Sequence, residues 1–169
     1  MRVPLTLLFL LVTLGVFQNL AYGPSLPDPV ASSFDGAGRP GGYQSRSDFL
    51  ATHLAVVGIM ALALGGSVLL VKVLPLSMVN VPHREYHLAP ERAEASLAYI
   101  SSWMLWFADV TLAFLLFVFQ LTIVANLRGT GLPNVPMWGS LAFYFAFVGI
   151  AMAAMFARFR RPPAEAVTA

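Results

Sequence analysis

The chain has 169 residues, 58% of them hydrophobic and 11% charged, with no cysteine, a formal net charge of +2 and a mean hydropathy of +0.74. A soluble domain is about 45–50% apolar and about 25% charged, so this composition argues against a water-soluble globular enzyme. The missing cysteines exclude disulfides, thiolate nucleophiles and cysteine zinc sites, and ten scattered Lys and Arg residues make no basic patch for nucleic acid.

At this length one domain is the expectation. Crossing about 30 Å of hydrocarbon takes about 20 helical residues. Four runs meet that requirement, near residues 3–22, 50–74, 97–125 and 137–156. Their continuous apolar character speaks for helices and against the alternating strands of a barrel. The predicted fold is therefore an all-α integral membrane protein, with one four-helix domain over residues 1–161 and a disordered cytoplasmic tail at 162–169.

The first run has a second reading. Arg2, the apolar stretch and the small residues Ala21 and Gly23 resemble a cleavable signal peptide. The length of the stretch favours a retained helix. The loop from Gly23 to Asp48 is rich in Gly, Pro and Ser and reads as irregular, with turns at Pro27-Asp28 and through Gly36–Gly42. Its glycines lack the GKS or GKT sequence and the preceding strand of a phosphate cradle.

The second run carries His53 near its start and Lys72 near its end. The connection Pro75–Ala98 follows. Pro90 suits the first turn of a helix, with Glu91 and Glu94 close behind, so the third helix is expected to start there. His83 and His87 have an H-x-x-x-H spacing that could bind metal from one helical face. Pro82 and Pro90 disfavour a regular helix, a third ligand is missing, and Arg84 breaks the HExxH pattern; no metal and no cofactor are expected.

Asp109 lies near the middle of the third run. An acid there costs about 2.5–3.5 kcal/mol on insertion scales, and such residues are often functional. A proton or cation site is one reading, a contact with a partner subunit another, and plain packing through hydrogen bonds a third. His53 and Gln120 fall at similar depth near the outer face; a hydrogen bond between the second and third helices is the plain expectation, and a pH-sensing histidine the alternative. Small residues at Ala61-x-x-x-Gly65, Ala63-x-x-x-Ser67 and Gly149-x-x-x-Ala153-x-x-x-Ala157 predict close helix packing. No nucleophile and base can be paired by spacing, so the chain is not expected to be an enzyme.

If the N-terminus is cytoplasmic, the inner ends carry seven Lys or Arg residues and the outer ends three, Arg39, Arg46 and Arg128, so both termini are expected inside. Tyr99, Trp103 and Trp106 are expected to mark the inner interface, and Trp138 the outer.

The loop sequences carry a resemblance. Leu26-Pro27-Asp28-Pro29-Val30, Phe34 to Pro40 with Gly38, and Gly42-Tyr43 with Ser45-Arg46 stand before the second helix. Asn80-Val81-Pro82-His83-Arg84-Glu85-Tyr86-His87-Leu88-Ala89-Pro90-Glu91-Arg92 stands before the third. Both segments resemble motifs of the domain-of-unknown-function family 1648, small bacterial and archaeal membrane proteins distantly related to SdpI-type immunity proteins. His83 and His87 stand where that pattern often has Asn and Trp, and the C-terminal membrane domain of the larger immunity proteins has no counterpart here. The resemblance implies a bacterial cytoplasmic membrane and the membrane topology much more than immunity activity. The expected function is a non-enzymatic accessory, sensing or immunity-like component that acts through its loops, with membrane lipids and other membrane subunits, or further copies of itself, as partners. A small coupled transporter using Asp109 is the alternative, and a metal enzyme using His83, Glu85 and His87 the third.

Overall fold

The computed structural model describes residues 2–160, the side chain of Lys72 excepted. The predicted tail at 162–169 lies outside the described residues. In chain order the elements are α1 (Arg2–Tyr22), β1 (Val30–Phe34), β2 (Pro40–Gln44), α2 (Arg46–Met60), a π turn (Ala61–Gly65), α3 (Gly66–Val73), α4 (Arg84–His87), α5 (Pro90–Arg128) and α6 (Asn134–Arg158). Four helical spans are long and apolar enough to cross a membrane: Arg2–Ser25, Arg46–Val71, Pro90–Arg128 and Asn134–Arg158. The chain is a multi-pass, mainly helical membrane protein.

The 39-residue α5 is the spine. Pro90 opens it at a position whose absent N–H leaves no intrahelical bond unmade, and Glu91 lies in the first turn, where the helix dipole favours an acid. Gly129 closes it with φ 62°, a left-handed cap that glycine adopts without a Cβ clash. At 1.5 Å per residue the helix is about 58 Å long, roughly twice the hydrocarbon thickness.

Two opposite faces of α5 carry the rest of the bundle. Leu105, Ala108, Asp109, Leu112 and Leu116 form a buried stripe. Val57, Leu112 and Leu116 pack there with Leu8, Leu11, Val12 and Met60 of α1 and α2. Gly15 lets these helices approach, since a Cβ there would lie 2.9 Å from Val57 Cγ2 and 3.0 Å from Leu116 Cδ2. On the far face Trp103 Nε1 donates to the Ala151 carbonyl at 2.9 Å, and Phe114 stacks on Tyr144 with centroids 4.6 Å apart. α6 packs mainly against this face. Trp103, expected as an interface marker, thus serves the α5–α6 seam.

Three expectations need correction. The second span is not a uniform helix. It loosens into a π turn at Ala61–Gly65, which ends on the first glycine of the Gly65-Gly66 pair, and the Ser67 hydroxyl donates back to the Leu64 carbonyl. Of the small-residue pairs, Ala61/Gly65 does pack: a Cβ on Gly65 would meet Leu8 Cδ2 at 2.7 Å. The α6 stripe does not, because Gly149, Ala153 and Ala157 are exposed and nothing lies within 4 Å of a Cβ on Gly149.

The loop read as irregular contains an antiparallel hairpin. Val30 pairs with Gln44, Ala31 with Tyr43, Ser33 with Gly42 and Phe34 with Pro40, with irregularities on either side of Ser33. The Asp28-Pro29 peptide that leads into it is cis. A lone two-stranded hairpin is marginal in water. This one rests on Leu26, Val30, Phe49 and Ile123, with Tyr22, Leu50 and Phe119 around them.

Candidate functional site

The hairpin is fixed to the ends of α5 and α6 by side-chain amides. Asn126 holds Ala31 from both sides: its Oδ1 accepts from the Ala31 N–H at 2.7 Å and its Nδ2 donates to the Ala31 carbonyl at 2.9 Å. Nδ2 also reaches the Thr122 carbonyl at 2.9 Å, which locks the amide to its own helix. At the tip, Leu132 N–H donates to the Gly38 carbonyl at 2.8 Å and Asn134 Nδ2 to that of Ala37 at 3.2 Å. Gly38 has φ 77°, and a Cβ there would run into the Leu132 carbonyl oxygen, so glycine is required twice over.

The tip is closed by its own charges. Asp35 Oδ1 accepts from the N–H groups of Ala37 at 3.0 Å and Arg39 at 2.8 Å, while Arg39 Nε meets Oδ2 at 2.8 Å. The Arg39 backbone N–H first, and its guanidinium second, hold the Asp35 carboxyl below its ordinary value. The pair is exposed, so its order matters more than its energy.

Of the predicted loop residues, Pro27 and Pro40 are exposed, Phe34 is half-buried and Gly38 is buried. Tyr43 projects from β2 with 62% of its surface exposed. The result is a preformed platform with an aromatic side chain standing on it.

The segment before α5 behaves differently. Asn80, Pro82 and His83 are exposed, His83 with φ 50° in the left-handed region. His87 is buried, edge-on to Tyr86 and Phe159, with Nε2 3.1 Å from the Arg160 carbonyl oxygen. The Ser96 hydroxyl donates to the His87 carbonyl at 2.8 Å. Arg92 lies over the Tyr86 ring at 4.2 Å, while Glu91 is exposed beside Pro90. The two histidines therefore occupy different environments, and Glu85 is exposed. The structure does not bring them together as ligands; among the described residues no group of three His, Asp or Glu side chains gathers in metal-binding geometry.

Inside the bundle, Asp109 is 1% exposed and neither carboxylate oxygen has a hydrogen-bond partner. His53 is fully buried, stacked on Phe119 with centroids 4.3 Å apart, and neither ring nitrogen is bonded. The expected His53–Gln120 bond is absent. Gln120 Oε1 instead accepts from Gln18 Nε2 at 3.0 Å, and that nitrogen lies 3.3 Å from the Leu116 carbonyl. Asn19 Nδ2 donates to the Leu50 carbonyl at 2.8 Å. The Lys72 side chain lies outside the described residues.

Sequence reasoning missed Gln18, Asn19 and Asn126. The adjacent amides of Gln18 and Asn19 interrupt an otherwise apolar helix, which was the available signal. Asn126 falls one residue beyond the apolar run 97–125 and just before Arg128 and two glycines, so the sequence alone does not place it in the helix.

No family model matches the chain, and no curated protein or solved structure matches it either.

Proposed function

We propose that this chain is a non-enzymatic accessory component of a bacterial cytoplasmic membrane, with both termini inside and the hairpin outside. The hairpin recognises a membrane partner or an external ligand. The carrying observation is the clamp of Asn126 on Ala31, which presents Tyr43 on a docked surface. Loops on a rigid scaffold commonly carry recognition, and aromatic anchors dominate binding surfaces. The resemblance of the hairpin and of the segment Asn80–Arg92 to family 1648 motifs fits a role in the loops. A photoreactive amino acid at position 43, irradiated in native membranes, should give one discrete cross-linked adduct. Asn126→Ala should abolish that adduct and leave the helices folded by circular dichroism. Absence of any adduct, or an adduct indifferent to Asn126, rejects the reading.

A second reading, coupled transport of protons or cations, is favoured by the burial of Asp109 without a partner. Uptake into liposomes that is abolished by Asp109→Asn supports it, and no uptake, or unchanged uptake, removes it.

A further inference from the structure

Two contacts fix how the second span and α5 run past each other. His53 stacks on Phe119, and the Ser67 hydroxyl lies 3.9 Å from Met104 Sδ. Counting between them, antiparallel, sets Asp109 level with the π turn Ala61–Gly65. On the third side Gly65 abuts Leu8 of α1. The buried carboxyl thus sits in a three-helix interior at the one place where a wall departs from α-helical bonding. A π turn shifts carbonyls out of the regular ladder and recurs at functional sites.

Among the described side chains, no charge is at hand to balance an ionised Asp109. α1 has no titratable side chain between Arg2 and Tyr22. In α2 the nearest is His53, about 15 Å away along the axis at 1.5 Å per residue. The apolar cluster of Val57, Leu112 and Leu116 lies between them. In α3, backbone position 72 is level with Ile100, about 13 Å away by the same count. In α6, Tyr144 lies on the far face of α5, its hydroxyl 3.1 Å from Thr111 Oγ1. On α5 itself the neighbouring titratable residues are Tyr99 and Arg128.

The geometry points to Asp109 as a proton-binding site: a neutral carboxylic acid in the resting bundle, buried level with the π turn and without a hydrogen-bond partner. This builds on the transport reading, and its test is separable from it. The step is protonation and deprotonation of one carboxylate oxygen.

The full chain in nonionic detergent is treated with an apolar carbodiimide, which attacks protonated carboxyls within apolar surroundings, and in parallel with a water-soluble one. Adducts are mapped by peptide mass spectrometry. The exposed carboxyls of Asp28, Asp35 and Glu85 report on the water-soluble reagent. Asp109 is expected to be modified by the apolar reagent at pH 6. The modification should fall about tenfold per pH unit once the acid ionises, and sodium at fixed pH should leave it unchanged. Asp109→Glu should keep an adduct and Asp109→Asn lose it. No adduct at pH 6, labelling independent of pH, or protection by sodium overturns the proton site. An adduct without liposome flux keeps the site and ends the transport reading. Flux without an adduct does the reverse.

Discussion

Gly38→Ala is expected to release the hairpin tip from the α5–α6 turn while leaving the four helices intact. Two effects add at this position. Alanine at φ 77° carries the left-handed penalty of about 1–2 kcal/mol. Its Cβ also runs into the Leu132 carbonyl oxygen and meets Asn134 Oδ1 at 2.8 Å. Those atoms belong to the turn that holds the tip, so relief of the clash means breaking the bond from Leu132 N–H to the Gly38 carbonyl. A loss of about 2–4 kcal/mol of docking stability is expected, in the range of other changes at special backbone positions. Limited proteolysis between Phe34 and Pro40 and faster hydrogen exchange at Leu132 measure it. A tip as protected as in the unaltered chain contradicts the clamp. Gly36, with nothing within 4 Å of a Cβ, provides the comparison: Gly36→Ala should have little effect.

The second large effect belongs to Gly15→Leu. Cβ approaches of 2.9 Å to Val57 Cγ2 and 3.0 Å to Leu116 Cδ2 leave no room for a branched side chain between α1, α2 and α5. Overpacking costs about 1–3 kcal/mol and more where backbones must part. Gly15→Ala should cost less, since both neighbours are ends of flexible side chains. Thermal unfolding in detergent should therefore rank leucine well below alanine, and alanine below glycine. Gly149→Leu should leave the isolated chain unchanged, because that glycine faces open space. Equal melting of Gly15→Leu and the unaltered chain would falsify the close approach.

The spans were legible because a bilayer reduces the choice of backbone to helix or closed barrel, and the apolar runs near 3–22, 50–74, 97–125 and 137–156 need only be counted. Pro90 marked its helix start for a local reason, and the structure keeps it. The hairpin was not legible. Val30–Phe34 and Pro40–Gln44 hold little β-branched sequence and two adjacent glycines, and their pairing depends on Asn126, about ninety residues away in the chain. Long-range clamps leave no periodic trace.

The polar interior was half legible. Asp109 stood out because a charge in an apolar run is conspicuous. The π turn beside it was hidden, since Ala61–Gly65 reads as ordinary helix with only Gly65-Gly66 as a cue. Depth matching paired His53 with Gln120. It failed because depth does not say which way a helix is turned: His53 meets the Phe119 ring, and Gln18 of α1 takes the glutamine. The α6 stripe failed likewise, since spacing identifies a face but not its neighbour.

From Glu91 to Arg128 the spine contains neither glycine nor proline. Kinks almost always need one of these, a π bulge or an inserted group. A rod of this kind has no joint at which a disturbance can be absorbed. One end grips the hairpin through Asn126, and the other carries Ser96 against the His87 backbone. The hairpin and the histidine segment are thus tied to one continuous helix, at points about thirty residues apart along it.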